Sequence, residues 1–143
     1  MSGNNITDYP FSEPNSVHYL DDASLEVVFK IQETCNIDCK YCYMYNVGNE
    51  LYKEVPASSP IDVAKSVGEF ISACFVERNP SYGRLILHGG EPMLMPAHRF
   101  DERMSVITEQ LRNTLSNDQY NRIQLTLQTN ATKMTEQWID KLR

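Results

Sequence analysis

Three stretches of the chain read as strands, and each is followed by a stretch with helical periodicity. In residues 25–32, Leu25, Val27, Phe29 and Ile31 fall on one side, and Glu26, Val28, Lys30 and Gln32 on the other. A period of two marks a strand with one apolar face. Residues 84–88 are a short apolar run after Gly83, read as a second strand. Residues 123–130 alternate again, with Ile123, Leu125 and Leu127 opposed to Gln124, Thr126 and Gln128. Between them, Ile61, Ala64, Val67, Phe70, Ile71, Cys74 and Phe75 recur at steps of three and four, predicting a helix that ends near Asn79-Pro80. Ser59 is its expected N-cap and Pro60 its first residue. Met93, Met95 and Pro96 lead into a second helix striped by Phe100, Met104, Ile107, Leu111 and Leu115. Residues 116–120 read as a polar turn. A third helix opens with Thr135 as N-cap and Met134 placed to staple to Ile139.

This order predicts an α/β fold with parallel, adjacent strands, because each crossover is long enough to carry a helix. The apolar strand faces should pack on the helices. The opposite face carries Lys30, Gln32, His88, Gln124, Thr126 and Gln128 and would line a barrel-like cavity. Ligands in such sheets bind at the carboxyl ends of the strands. Two unusual segments fall at those ends.

The first is residues 35–42, in which Cys35, Cys39 and Cys42 are spaced by four and three. Three thiolates on one loop can serve three irons of a [4Fe–4S] cluster and leave the fourth iron open; a fourth cysteine would close it. Structural zinc is the competing reading, although zinc takes four ligands and favours shorter paired spacings. Its fourth ligand would be Cys74, His88 or His98. Cys74 itself reads as a core filler on the first helix, since a free cysteine behaves as a small hydrophobe. The second segment is Gly89-Gly90-Glu91-Pro92, after the second strand. Two glycines allow close backbone approach to a ligand, and Glu91 adds a carboxylate there. An ordinary turn would use the same residues. His88 beside them reads equally as a structural hydrogen-bonder or a site residue. Residues 43–58 form a long connection in which Tyr43, Met44, Tyr45 and Tyr52 either shield the cysteine loop or simply anchor the segment.

Net charge is −6, with 19 acidic against 13 basic residues, which argues against non-specific nucleic-acid binding. The sequence has no apolar run long enough for a membrane-spanning helix, and residues 1–15 lack the apolar segment of a secretory signal. A cytoplasmic protein with free thiols, with neither membrane nor nucleic acid as partner, is expected. Residues 1–22 read as a flexible leader before a domain over 23–143.

The motifs Cys35-x-x-x-Cys39-x-x-Cys42, with Tyr41 before the last cysteine, and Gly89-Gly90-Glu91 one βα unit later, resemble the radical S-adenosylmethionine enzymes. The stretches CNIDCKYCYMYN, LHGGEPML and LQTNATKMTEQW resemble its peptide-modifying branch. That branch includes the anaerobic sulfatase-maturating enzymes and the maturases of ribosomally made peptides, longer members of which carry a SPASM domain. The resemblance implies a (β/α)₆ partial barrel of the TIM type, of which this chain supplies the first three βα units; the later strands and any SPASM domain are expected to be missing. It implies that Cys35, Cys39 and Cys42 ligate a [4Fe–4S] cluster and that Tyr41 lies against the adenine of S-adenosylmethionine through its backbone. It also implies that Gly89, Gly90 and Glu91 hold the cofactor's methionine end. Gln128 and Asn130 are further candidates for cofactor or substrate contacts. The implied chemistry is cleavage of S-adenosylmethionine to a 5′-deoxyadenosyl radical that takes hydrogen from a peptide or protein side chain. Crosslinking of a precursor peptide into a cyclophane is the expected outcome, with formylglycine formation as the alternative. A flavodoxin- or ferredoxin-type protein would supply the electron. An inactive remnant of such an enzyme is the remaining reading.

Overall fold

The computed structural model describes residues 23–142 apart from residue 49; the leader expected over 1–22 lies outside them. Strands β1 (Ser24–Gln32), β2 (Tyr82–Gly89) and β3 (Ile123–Leu127) form one sheet in the order β1-β2-β3, with both pairings parallel. Helices α1 (Ile61–Arg78), α2 (Ala97–Thr114) and α4 (Glu136–Leu142) follow the three strands, and a short α3 (Asn117–Asn121) precedes β3. The expected alternation and strand adjacency are therefore found. The core lies between sheet and helices, where Phe29, Ile31, Leu85 and Leu87 meet Ile71, Phe75, Phe100, Ile107 and Leu111.

Helix α1 is rotated relative to its expected stripe. Its buried residues are Ala64, Gly68, Ile71, Ser72 and Phe75, whereas Phe70 is 54% exposed and Cys74 only half-buried. The cause is α2. A Cβ on Gly68 would stand 3.1 Å from Gln110 Cβ and 3.3 Å from the Ile107 Cα, so close approach of the helices selects small residues at the contact. Cys74 is thus not the core filler expected. Ser59 does not cap α1 either: the cap position is Pro60, without a side-chain bond, and Ser59 Oγ is buried with no partner among the described residues. The Ser59 carbonyl instead accepts from Nε of the buried Arg103 at 2.9 Å, tying the entry of α1 to α2.

The segment read as a turn over 116–120 is mostly α3, because Ser116 and Gln119 form a reciprocal capping box. At α4, Thr135 Oγ1 accepts from Trp138 N at 3.4 Å, as an N-cap does. Trp138 is buried edge-on against Phe100 at 4.9 Å between ring centroids, and Lys141 pairs with Asp101 at 2.6 Å.

Of the six polar residues expected to line a cavity on the other sheet face, only some do. The pairing register shifts between Lys30 and Gln32, and this turns Gln32 inward, where it accepts from Ser58 Oγ at 2.8 Å and donates to Thr34 Oγ1 at 2.7 Å. Lys30 pairs with Glu33. Gln124 accepts from Tyr82, which with Arg84 and Glu26 forms a network across the strands. His88 and Gln128 alone of the six reach the cleft at the strand ends.

Candidate functional site

The cysteine loop begins where β1 ends, and its stem is held from both sides. On one side the connection to α1 folds back, so that Glu33 N donates to Ala57 O at 2.7 Å and Ser59 N to Ile31 O at 3.0 Å. On the other, Gly90 N donates to Gln32 O and Glu91 N to Thr34 O, both at 2.8 Å. Only glycines permit this second contact. A Cβ on Gly89 would lie 2.0 Å from Gln32 O, and one on Gly90 2.2 Å from Thr34 O; Gly89 also has a φ of +139°. The two glycines thus serve an approach of backbone to backbone, beyond the ligand approach read from the sequence.

The loop itself is a tight turn. Cys42 N donates to Cys39 O at 2.9 Å and Asn46 N to Cys42 O at 3.0 Å. The Asn46 side chain donates to Cys39 O at 2.7 Å and to Asp38 Oδ1 at 2.9 Å. Tyr45 donates to Glu33 O and stacks edge-on with Tyr52 at 4.7 Å. Burial, followed by the nearby Cys35 and Glu33, pushes its phenol up to about 12. Tyr45 therefore stays a neutral donor. The aromatics of this connection anchor it, and Tyr43, Met44 and Tyr45 also line the cleft.

That cleft, of about 260 Å³, gathers the candidates from three strand ends. Cys35, Cys39, Tyr41 and Cys42 come from the first, His88, Gly89 and Gly90 from the second, and Gln128 and Asn130 from the third. Tyr41 is 90% exposed at its rim. His88 Nε2 lies 3.4 Å from the Tyr43 hydroxyl. Glu91 stands behind the wall and is wholly buried. Its Oε1 accepts from Met93 N at 2.8 Å and Thr129 Oγ1 at 2.6 Å, and its Oε2 from Asn130 N at 2.7 Å. It therefore braces β2's end against β3's end.

Sequence reading passed over Asn36, Thr129 and Thr132, which complete this junction. Asn36 Nδ2 donates to Thr132 Oγ1 at 2.7 Å, bridging the cysteine loop to the segment after β3. The available signal was the Thr-Asn-Ala-Thr run, whose polar side chains favour local turns. Asn130 Oδ1 does accept from Thr132 N at 3.0 Å, with Ala131 at a φ of 59°.

The donor set suits an iron–sulfur cluster. Three half-buried free thiols line one cleft, and the fourth, Cys74, stands on α1. Among the described residues, no three His, Cys, Asp or Glu side chains are gathered to hold a single metal ion. A cluster asks for less, since its thiolates bind different irons.

The Radical SAM superfamily model matches residues 29–143, and the chain belongs to that superfamily. Its α/β fold is part of the radical SAM fold, and membership implies a [4Fe–4S] cluster and S-adenosylmethionine. The chain is similar to solved structures of anSMEcpe. One is hexahistidine-tagged anSMEcpe with bound AdoMet, at 24% identity and a TM-score of 0.60, covering 84% of this chain and 29% of that one. Another is native anSMEcpe with bound AdoMet and Cp18Cys peptide, at 25% identity and a TM-score of 0.58, covering 84% and 28%. The chain thus spans under a third of the length of these relatives. No curated protein matches it. None of the helices among the described residues is long and apolar enough to cross a membrane.

Proposed function

We propose that the chain carries the cluster and the S-adenosylmethionine site of a radical enzyme that modifies peptide or protein side chains. The observation that supports this reading most is the single cleft lined by all three loop cysteines together with Gly89, Gly90, Gln128 and Asn130. In the proposed arrangement Cys35, Cys39 and Cys42 hold the cluster. Gly89 and Gly90 present backbone groups to the cofactor's methionine end. Glu91, wholly buried behind the cleft wall with three of its roughly four acceptor positions taken, supports that end through the glycine turn and Asn130, which it braces. Tyr41 offers its backbone to the adenine, and Gln128 and Asn130 complete the wall. When bound, the cluster and S-adenosylmethionine supply a 5′-deoxyadenosyl radical, so the chain's own groups need only bind, orient and exclude water.

The peptide in the anSMEcpe complex supports a peptide substrate here. A precursor peptide crosslinked between an aromatic ring and an aliphatic carbon is the product we favour, with formylglycine formation as the other outcome. A flavodoxin- or ferredoxin-type protein delivers the electron in a reducing cytoplasm, where the free thiols would persist. The test is anaerobic incubation with S-adenosylmethionine, a reductant and candidate precursor peptides, followed by mass spectrometry. Formation of 5′-deoxyadenosine with loss of two hydrogens and a carbon–carbon crosslink is the expected result. Cofactor cleavage with every peptide unchanged would refute the peptide assignment.

A further inference from the structure

Among the described residues, Cys35 differs from the other loop cysteines in having a side-chain amide against its sulfur. Asn130 Nδ2 lies 3.8 Å from Cys35 Sγ and also donates to Asn36 Oδ1 at 3.1 Å. The amide is locked in that orientation. Its Oδ1 accepts from Thr132 N at 3.0 Å and from Thr132 Oγ1 at 2.7 Å. Exchanging oxygen and nitrogen would set the amide's N–H groups against the Thr132 N–H, so the nitrogen has to face the thiol. The backbone is fixed as well, since Asn130 N donates to the buried Glu91 carboxylate at 2.7 Å. Asn130 is thus held at both ends by groups that are neither cysteine nor cofactor.

We propose that Asn130 is a positioning residue that donates a hydrogen bond to the Cys35 thiolate and raises the reduction potential of the cluster held there. The inference rests on the cluster reading above. A donor at a ligating sulfur stabilises negative charge, and the reduced cluster carries one more negative charge than the oxidised one. The hydrogen bond therefore favours the reduced form, from which the electron for cofactor cleavage comes. Glu91 and Thr132 act through it, and this gives the third strand's end a role in the electronics of a cluster held on the first.

The test compares the whole protein with Asn130→Ala and Thr132→Val, each reconstituted anaerobically with iron and sulfide. The reduced cluster is followed by electron paramagnetic resonance during a redox titration without S-adenosylmethionine. Asn130→Ala should lower the reduced-to-oxidised ratio at fixed potential by roughly tenfold, a shift of about 59 mV for a one-electron couple. Thr132→Val leaves Cys35 and Asn130 in place but removes one of the two donors to the amide oxygen, the backbone N–H remaining, and should shift the ratio in the same direction by less. If Asn130→Ala takes up no iron, Thr132→Val alone decides. Potentials equal to wild type, or shifted upward, overturn the inference while leaving the cluster reading intact. A wild-type protein that takes up no iron and sulfide overturns both.

Discussion

Glu91 is where a single residue carries most in this molecule. A wholly buried carboxylate is tolerated because three donors meet it, two of them backbone N–H groups from different segments. In Glu91→Gln one oxygen becomes an N–H₂ group that faces a donor, which should cost about 1.5–3 kcal/mol of stability, read from urea unfolding. With the cluster intact, S-adenosylmethionine affinity should fall by about one to two decades. An unaltered urea midpoint would contradict the bracing role. The cysteines give a second residue-scale prediction. Cys35→Ala, Cys39→Ala and Cys42→Ala should each lose iron after anaerobic reconstitution, and Cys74→Ala should retain it, because Cys74 lies on α1. Equal loss in the Cys74 variant would contradict the ligand set. The gathering of the three loop thiols was legible from spacing alone. The bracing of Glu91 was not, since Thr129 and Asn130 lie 38 and 39 residues away and no local pattern announces the contact.

At the scale of elements, the junction between the ends of β1 and β2 is set by backbone packing. Gly90→Ala would place a methyl 2.2 Å from Thr34 O and from the Tyr45 hydroxyl, so the loop stem must move. A loss of at least about 2 kcal/mol is expected, together with weakened cluster binding; wild-type stability and iron content would show that the junction is loose. Helix α1 supplies a prediction of opposite sign. Ser72 Oγ is buried with no hydrogen-bond partner among the described residues, so Ser72→Ala should be neutral or stabilise by up to about 1 kcal/mol in the same urea assay. Helices and strands were legible because their apolar periods are long. The buried face of α1 was misread because periodicity rewards large apolar side chains, whereas α1 buries Ala64, Gly68 and Ser72, with Gly68 against α2, and leaves Phe70 exposed. The segment before β3 was misread for a similar reason, a capping box at Ser116 having been taken for a turn.

At the scale of the whole molecule, the parallel order β1-β2-β3 brings residues more than 90 positions apart to one edge of the sheet. This order was readable from the lengths of the crossovers. The polar sheet face was only half readable. The Glu26–Arg84–Tyr82–Gln124 network satisfies its lower part internally, and the register shift removes Gln32 from it. What remains at the carboxyl ends is the cleft, where the three loop thiols and the glycine turn meet. An open iron in that cleft is the central claim. Its most direct test is the electron paramagnetic resonance spectrum of the reduced, reconstituted protein before and after S-adenosylmethionine is added. Iron and sulfide in about equal amounts, with a reduced-cluster signal that changes on addition of the cofactor, is the predicted result. One zinc per chain, or a cluster signal indifferent to S-adenosylmethionine, would contradict it.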